Sequence, residues 1–345
     1  MKTIFQEKII SWYEQNKRSL PWRNTQNPYL IWLSEVILQQ TRVAQGLEYY
    51  LRFVQQFPTL NDLAQAKEQD VLKLWQGLGY YSRARNLLSA AKSMNSKYNG
   101  KMPDSYHDLL CEKGIGEYTA AAIASFAYNQ PHAVVDGNVY RVLSRLFDIN
   151  IPINTNQGKK YFLQLAQSLL PEKKANIYNQ AIMEFGALQC TPKNPDCIAC
   201  PLIDFCVAFA NKTIEQRPVK EKKSNIKHRF FNYFFLLQNK QFYIQQRTQK
   251  DIWQHLYELP LIETKKECDI SEISQLIDRQ WNIKSFTIKQ NPIKFKHTLS
   301  HQQIHATFFS LEIEQQLPLK SITQNQLQDF PISRLTELFF EKINL

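Results

Sequence analysis

No stretch of the chain comes near the ~18 consecutive apolar residues of a membrane-spanning helix, so no membrane segment is expected. No secretory signal is expected at the first residues either. Ile4, Phe5, Ile9, Ile10, Trp12 and Tyr13 are interrupted by Gln6, Glu7 and Lys8, with no continuous apolar run and no small-residue cleavage site. That spacing predicts an amphipathic helix. A cytoplasmic protein is therefore expected, in which cysteines point to metal binding or simple burial and not to disulfides. β-Branched alternation is scarce before about residue 210, and neither an internal repeat nor a low-complexity tract is present.

Negative charge is in deficit. Asp and Glu number 31 against 42 Lys and Arg, a formal net charge of +11. Such a balance favours a polyanionic partner, because each cation that meets a phosphate releases a counterion. A soluble protein that happens to be basic is the competing reading, and charge alone scarcely separates the two. The 345 residues suggest two domains at ~150 residues each. Their 43% hydrophobic content is enough for packed cores.

Apolar positions up to about residue 210 recur at three and four, with breaks at Pro28, Pro58, Gly100–Pro103, Pro131, Pro152 and Pro171. Residues 1–211 read as an all-α domain. In 212–227, Lys220, Glu221, Lys222, Lys223 and Lys227 crowd around Pro218, a linker composition. Residues 228–345 read as an α+β domain. Phe230–Leu237 and Phe242–Gln246 form a hairpin about Asn239-Lys240; a helix at 271–281 is capped by Ser271; strands follow near 286–289, 293–297 and 303–312.

Four of the six cysteines fall within 17 residues as Cys190-x6-Cys197-x2-Cys200-x5-Cys206. A zinc ribbon usually uses two close Cys pairs, and here only one pair is close. Wider spacings suit a larger cluster with four corners, so [4Fe-4S] is preferred and structural zinc is the alternative. Cys111 and Cys268 stand alone and need no role.

Three further segments carry polar chemistry. Gly114-Ile115-Gly116 opens an Ala-rich helix whose N-terminus could face a phosphate; a plain helix–helix turn competes. Asn27-Pro28 starts an apolar helix in which Glu35 shares a face with Ile31 and Leu38. Desolvation there raises a carboxyl pKa toward what a general acid needs, whereas a structural ion pair with a buried Arg explains the residue equally well. Gly77-Leu78-Gly79-Tyr80-Tyr81-Ser82-Arg83-Ala84-Arg85 could wedge into a base stack while its arginines hold phosphates, or could supply core aromatics and exposed cations.

The cysteine spacing resembles the loop of the endonuclease III and MutY branches of DNA glycosylases, and Leu109–Ala120 resembles their helix-hairpin-helix. Pro21-Trp22-Arg23 and Trp32-Leu33-Ser34-Glu35-Val36-Ile37-Leu38-Gln39-Gln40-Thr41 are similar to the MutY branch in particular. The resemblance implies an all-α helix-hairpin-helix glycosylase domain with a [4Fe-4S] loop held by Cys190, Cys197, Cys200 and Cys206. It implies backbone contacts to DNA by Gly114, Gly116, Arg83, Arg85 and Lys193. Val134-Val135-Asp136-Gly137-Asn138 would set Asp136, held by Asn138, at the sugar of a flipped nucleotide. Cleaving an N-glycosidic bond builds positive charge on C1′, which a fixed carboxylate stabilises; Asp136 could equally be only a helix N-cap.

By the same resemblance Glu35 protonates adenine and then activates water, Gln40 fills the space that adenine leaves, and Tyr80 is a wedge beside 8-oxoguanine. Trp22, Arg23 and Gln180 are implied in the adenine pocket. Bifunctional relatives carry a lysine where Tyr118 stands; without its amine, excision without strand nicking is expected. The partner implied is double-stranded DNA with adenine opposite 8-oxoguanine or guanine, with no membrane association and a monomeric protein.

The C-terminal segment resembles the Nudix-like domain of that branch. Arg247 and Ile252–Pro260 are similar to its Trp-Gly-Gly-Leu run, but Gln254 and His255 replace the glycines. In His297-Thr298-Leu299-Ser300-His301, Ser300 and His301 could still hydrogen-bond an oxidised base, while Leu299 stands where the family has Phe. Helix 271–281 lacks the glutamates of a catalytic Nudix box. His297, His301 and His305 recur every four, but the alternation of Ile304, Ala306 and Phe308 argues for a strand over a metal-binding helix. A bifunctional pyrimidine-lesion glycosylase/lyase and a non-catalytic iron–sulfur DNA-binding protein are the rival functions.

Overall fold

Proline and glycine punctuate the helices much as the spacing predicts. In the computed structural model, which describes residues 2–221, 226–299 and 301–345, helices cover Lys2–Asn16, Pro28–Leu38, Val43–Gln56, Leu60–Gln65, Glu68–Trp75, Ser82–Lys97, Tyr106–Leu110, Glu117–Tyr128, Gly137–Leu146, Asn156–Leu169 and Ala175–Leu188. The chain divides into two compact units. One comprises Met1–Gln65 with Asn86–Lys222, the other Ala66–Arg85 with Lys223–Leu345.

In the first unit, Lys2–Asn16 buries Phe5, Ile9 and Tyr13 against Ala175–Leu188, as its amphipathic spacing requires. Pro28–Leu38 is buried nearly all round and packs against Glu117–Tyr128, whose Ala120, Ala121, Ala122 and Ala124 allow close approach. This helix ends at Leu38. Gln40 takes a positive φ of 57°, the Thr41 N–H returns to the Leu38 carbonyl at 3.1 Å, and a new helix starts at Val43.

Part of the stretch expected as linker is tied down. The Ile153 N–H donates to the Val219 carbonyl at 3.0 Å, and the Glu221 N–H donates to Asn154 Oδ1 at 2.9 Å. Residues 222–225 of that stretch lie outside the described residues.

The second unit is built on an eight-stranded sheet: β1 Lys227–Gln238, β2 Gln241–Gln246, β3 Tyr257–Glu258, β4 Leu261–Thr264, β5 Thr287–Ile288, β6 Ile293–Thr298, β7 Gln302–Glu312 and β8 Lys320–Ile322. Its path runs β3-β2-β1-β7-β5, with β1 and β7 parallel and the other pairs antiparallel. The β1–β2 hairpin turns at Asn239 and Lys240, both at positive φ (49° and 64°), which matches the strand twist.

β1 reads as a nearly continuous apolar run because both of its faces are covered. Phe231, Tyr233 and Phe235 face Phe339 of the helix Arg334–Lys342. Phe234 and Leu236 face Ile273 and Ile277 of Ile270–Trp281. That second helix is capped by Asp269 and not by Ser271: the Asp269 side chain accepts from the Ser271 and Glu272 N–H groups, and Glu272 reaches back to complete a capping box. The helix 334–342, with its Ser333 cap, and the short strands β3, β4 and β8 are elements that the sequence reading missed.

Candidate active site

Within the first unit a cleft of about 690 Å³ is lined by Trp22, Arg23, Glu35, Gln40, Tyr118 and Asp136, with Gln180, Asn138, Gly114 and Gly116 also at its walls. Residues separated by more than 150 positions in the chain thus share one cavity.

Glu35 is only 7% exposed. Burial lifts its pKa to about 7; the Tyr118 hydrogen bond and Arg23 oppose this, while Asp136 adds to it. The Tyr118 hydroxyl donates to Glu35 Oε2 at 2.8 Å. Burial, together with the neighbouring Glu35 and Asp136, holds the Tyr118 phenol well above its ordinary value, so it remains a donor. The hydrogen-bond partner of Glu35 is thus a phenol, with the Arg23 guanidinium a smaller electrostatic influence.

Asp136 caps the helix Gly137–Leu146. Its Oδ1 accepts from the Asn138 and Val139 N–H groups at 2.9 and 2.8 Å, and its Oδ2 accepts from Asn138 Nδ2 at 2.8 Å. Desolvation raises its pKa, against these three donors and Arg141. Cap and cleft-facing carboxylate are therefore one arrangement. The segment leading to it pairs with no strand among the described residues. Side-chain amides take the place of a neighbour: Asn179 receives the Val134 N–H and donates to the His132 carbonyl, and Gln167 receives the Ala133 N–H and donates to the Pro131 carbonyl.

Arg18 and Glu184 are cleft residues that the sequence reading missed. Glu184 has a fully buried side chain and takes two hydrogen bonds of 2.6 Å from Arg23, with Arg18 contributing bonds of 2.6 and 2.8 Å. Burial pushes Glu184 up, but Arg18 and Arg23 outweigh it and set the pKa to about 2. The signal was available: Glu184 interrupts an apolar helix face, as Glu35 does. Gln180 Oε1 accepts from the Tyr13 hydroxyl at 3.2 Å, and Trp22 meets Tyr50 edge-on at 5.0 Å.

Gly114 takes a φ of +81°, and a Cβ there would come within 2.7 Å of Asn86 Cβ. Gly116 is the N-cap of Glu117–Tyr128 and has nothing within 4 Å of its Cβ position, so the helix N-terminus can be approached closely.

Helix 137–146 also reaches the cysteine loop. Arg141 donates to the Cys190 carbonyl, the Gly186 carbonyl and Asn138 Oδ1; Arg145 donates to the Thr191 and Pro192 carbonyls, and its Nη1 lies 3.4 Å from Cys190 Sγ. None of the four loop cysteines is in a disulfide, and burial raises the thiol pKa of Cys197, Cys200 and Cys206. Among the described residues no three His, Cys, Asp or Glu side chains close on a single ion. Thiolates at the four corners of a cubane stand further apart than the ligands of one zinc, and this donor set fits a [4Fe-4S] cluster. Lys193 lies exposed in the same loop.

The second unit carries Tyr80, Arg83, Arg85 and His301; Ser300 lies outside the described residues. Tyr80 is 47% exposed at a φ of +48°. Arg83 turns toward the Leu78 and Gly79 carbonyls and lies over the Trp75 and Tyr80 rings. Arg85 donates to the Gln254 carbonyl at 2.7 Å. His297 and His305 lie on strands and His301 on the connection between them.

Residues 33–172 match the HhH-GPD superfamily of base excision DNA repair proteins, residues 190–206 the iron-sulfur binding domain of endonuclease III, and residues 232–342 a NUDIX domain. A thermostable thymine-DNA glycosylase superposes with a TM-score of 0.57 at 28% identity, covering 61% of this chain and 97% of that one. A non-covalent endonuclease III–DNA complex, at 21% identity and a TM-score of 0.52, shares the fold over 62% of this chain and 98% of its own. Fold and site thus define a helix-hairpin-helix DNA glycosylase, a hydrolase of N-glycosyl bonds with a [4Fe-4S] loop and a Nudix-like C-terminal domain.

The adenine DNA glycosylase of Buchnera aphidicola subsp. Baizongia pistaciae is 36% identical over 304 residues, 88% of this chain and 84% of that protein. The human adenine DNA glycosylase is 43% identical over 225 residues, 62% of this chain and 40% of its own length. The chain belongs to the adenine DNA glycosylase family.

Proposed function

We propose that this protein removes adenine mispaired with 8-oxoguanine, or with guanine, from double-stranded DNA by hydrolysing the N-glycosidic bond and leaving an abasic site. The observation that carries the reading is a pair of carboxyl groups with different surroundings in one cleft. Glu35 is buried, bonded to a phenol and shifted to about 7. Asp136 is held by three N–H donors that favour its ionised form.

Glu35 donates its proton to a ring nitrogen of the flipped adenine. The bond between C1′ and the base then breaks, with its electron pair leaving on the base. The cation at C1′ is stabilised by the Asp136 carboxylate. Water adds to C1′ and gives a proton to the Glu35 carboxylate, which restores the acid. Trp22, Arg23 and Gln180 shape the base pocket, and the arginines stay aligned because Glu184 holds both. Gly114, Gly116 and Lys193 approach backbone phosphates; Gln40 and Tyr80 enter the duplex; His301 meets the opposite base. The cluster, when bound, cross-links the loop at 190–206 and takes no part in bond cleavage.

No lysine lines the cleft among the described residues, which disfavours the lyase rival. Single-turnover reactions on duplexes with adenine opposite 8-oxoguanine, guanine or thymine, with and without hot alkali, test the reading. Fast adenine loss opposite 8-oxoguanine with nicks only after alkali is the expected result. Intact adenine in all three bound duplexes would refute it.

A further inference from the structure

The segment 66–85 belongs to the same compact unit as the Nudix-like domain, although the chain places it inside the helical domain. Its polar side chains are spent on that domain at many points. Glu68 pairs with His255, and Gln76 with Glu337. Gln69 Nε2 donates to the Asp329 carbonyl at 2.7 Å, and Lys73 Nζ to the Phe330 carbonyl at 3.3 Å. Gln76 Oε1 accepts the Ile332 N–H at 3.2 Å, the Tyr81 hydroxyl lies 3.4 Å from the Ile332 carbonyl, and Arg85 holds the Gln254 carbonyl. Two stretches of the C-terminal domain, 254–255 and 329–337, therefore grip one helix and the turn after it.

The turn is stiffly joined to that helix. Trp75 Nε1 donates to the Gly79 carbonyl at 3.0 Å, the Tyr81 hydroxyl accepts the Gly77 N–H at 3.3 Å, and Arg83 lies over both the Trp75 and Tyr80 rings. Tyr80 is thereby fixed with its ring exposed. His255 adds a feature of this chain in particular. It sits at a φ of +68°, a backbone region that favours glycine, yet its ring forms the pair with Glu68.

We infer that the Nudix-like domain carries the Tyr80 wedge through this clasp, so that its reading of the opposite base reaches the excision reaction through the placement of Tyr80. Glu68, Gln76, His255 and Glu337 are positioning residues for the wedge. The inference rests on the wedge role proposed above for Tyr80.

The test uses the full chain with Glu68→Ala and Glu337→Ala, separately and combined, and Lys294→Ala as a control that breaks an exposed ion pair with Glu267 on the same domain. Hydrogen exchange is read by mass spectrometry. Amide protection across 68–81 should fall about tenfold or more in the double variant, with 117–128 and 231–236 unchanged. The ratio of single-turnover excision opposite 8-oxoguanine to that opposite guanine should shrink about fivefold or more, the low end of coupling between two sites. Unchanged exchange across 68–81 would overturn the clasp. Increased exchange with an unchanged ratio would overturn the transmission through Tyr80. Tyr80→Ala separates the two readings: wild-type rates on both duplexes would refute the wedge role itself, while the exchange experiment would still decide the clasp.

Discussion

Glu35 shows how much one environment changes one side chain. Its burial moves the carboxyl from an ordinary 4.5 to about 7. A raised acid pKa means that the folded state prefers the proton. The stability associated with this group is present below about 4.5 and is lost as pH rises through about 7. Glu35→Gln, which stays neutral, should gain on the wild type by up to ~3 kcal/mol between pH 5 and pH 8, at 1.36 kcal/mol per unit. Denaturant melts at the two pH values check this, and a gap independent of pH would contradict it. The same variant should bind mispaired DNA and lose excision by at least ~10³-fold; appreciable turnover would remove Glu35 from the mechanism.

Tyr118 offers a finer test. Its hydrogen bond lowers the Glu35 pKa against the larger effect of burial. Tyr118→Phe should therefore move the alkaline limb of the excision rate to higher pH. A shift to lower pH would show that another group controls that limb. Glu35 was legible in the sequence as an acid on an apolar face. Its hydrogen-bond partner was not, because a one-dimensional pattern cannot say whether a phenol or a guanidinium folds back onto it. Arg23 was legible as a candidate, while its partners Arg18 and Glu184 were overlooked among residues 5 and 161 positions away.

At the scale of elements, the helix Gly137–Leu146 joins two parts of the machinery. Its cap is Asp136, and its Arg141 and Arg145 hold the cysteine loop. Gly186 of the neighbouring helix leaves room for this contact. A Cβ there would meet Asn138 Cβ at 2.7 Å and the Asn138 carbonyl at 2.9 Å. Gly186→Ala should cost about 1–3 kcal/mol through overpacking and should slow excision more than it weakens DNA binding, since the displaced group is the partner of Asp136. Equal losses in both would point to general unfolding. The helix was predictable from its period and the hairpin from Asn239-Lys240. The end of the helix at Leu38 was not, because Gln39-Gln40-Thr41-Arg42 hold neither the proline nor the glycine that would mark a break, and only the positive φ of Gln40 interrupts the chain there. Asp269 was likewise overlooked as a cap beside Ser271, two residues that both suit the position.

Across the whole molecule, the excess of 42 basic over 31 acidic residues should make DNA affinity fall steeply with salt. Binding isotherms between 50 and 200 mM salt would show it, and a flat dependence would argue against phosphate contacts as the main attachment. The [4Fe-4S] loop gives a second prediction at this scale. Oxidative loss of the cluster should reduce DNA affinity and release Arg141 and Arg145 from their loop carbonyls, so excision should suffer even at saturating enzyme. Unimpaired single-turnover rates in the cluster-free protein would show that helix 137–146 holds Asp136 without the loop.

Periodicity, turn chemistry and ligand spacing are local properties, and the helical and α+β halves, the four-cysteine loop, the Gly-x-Gly hairpin and the candidate carboxyls follow from them alone. That Glu35, Asp136 and the Arg18–Arg23–Glu184 group line one cleft emerges from the folded chain, since these contacts join residues far apart in sequence. The same folding puts residues 66–85 with the C-terminal unit, a grouping that depends on hydrogen bonds to residues more than 160 positions away. Local pattern records what a segment can form; burial and long-range pairing settle what each charged side chain does there.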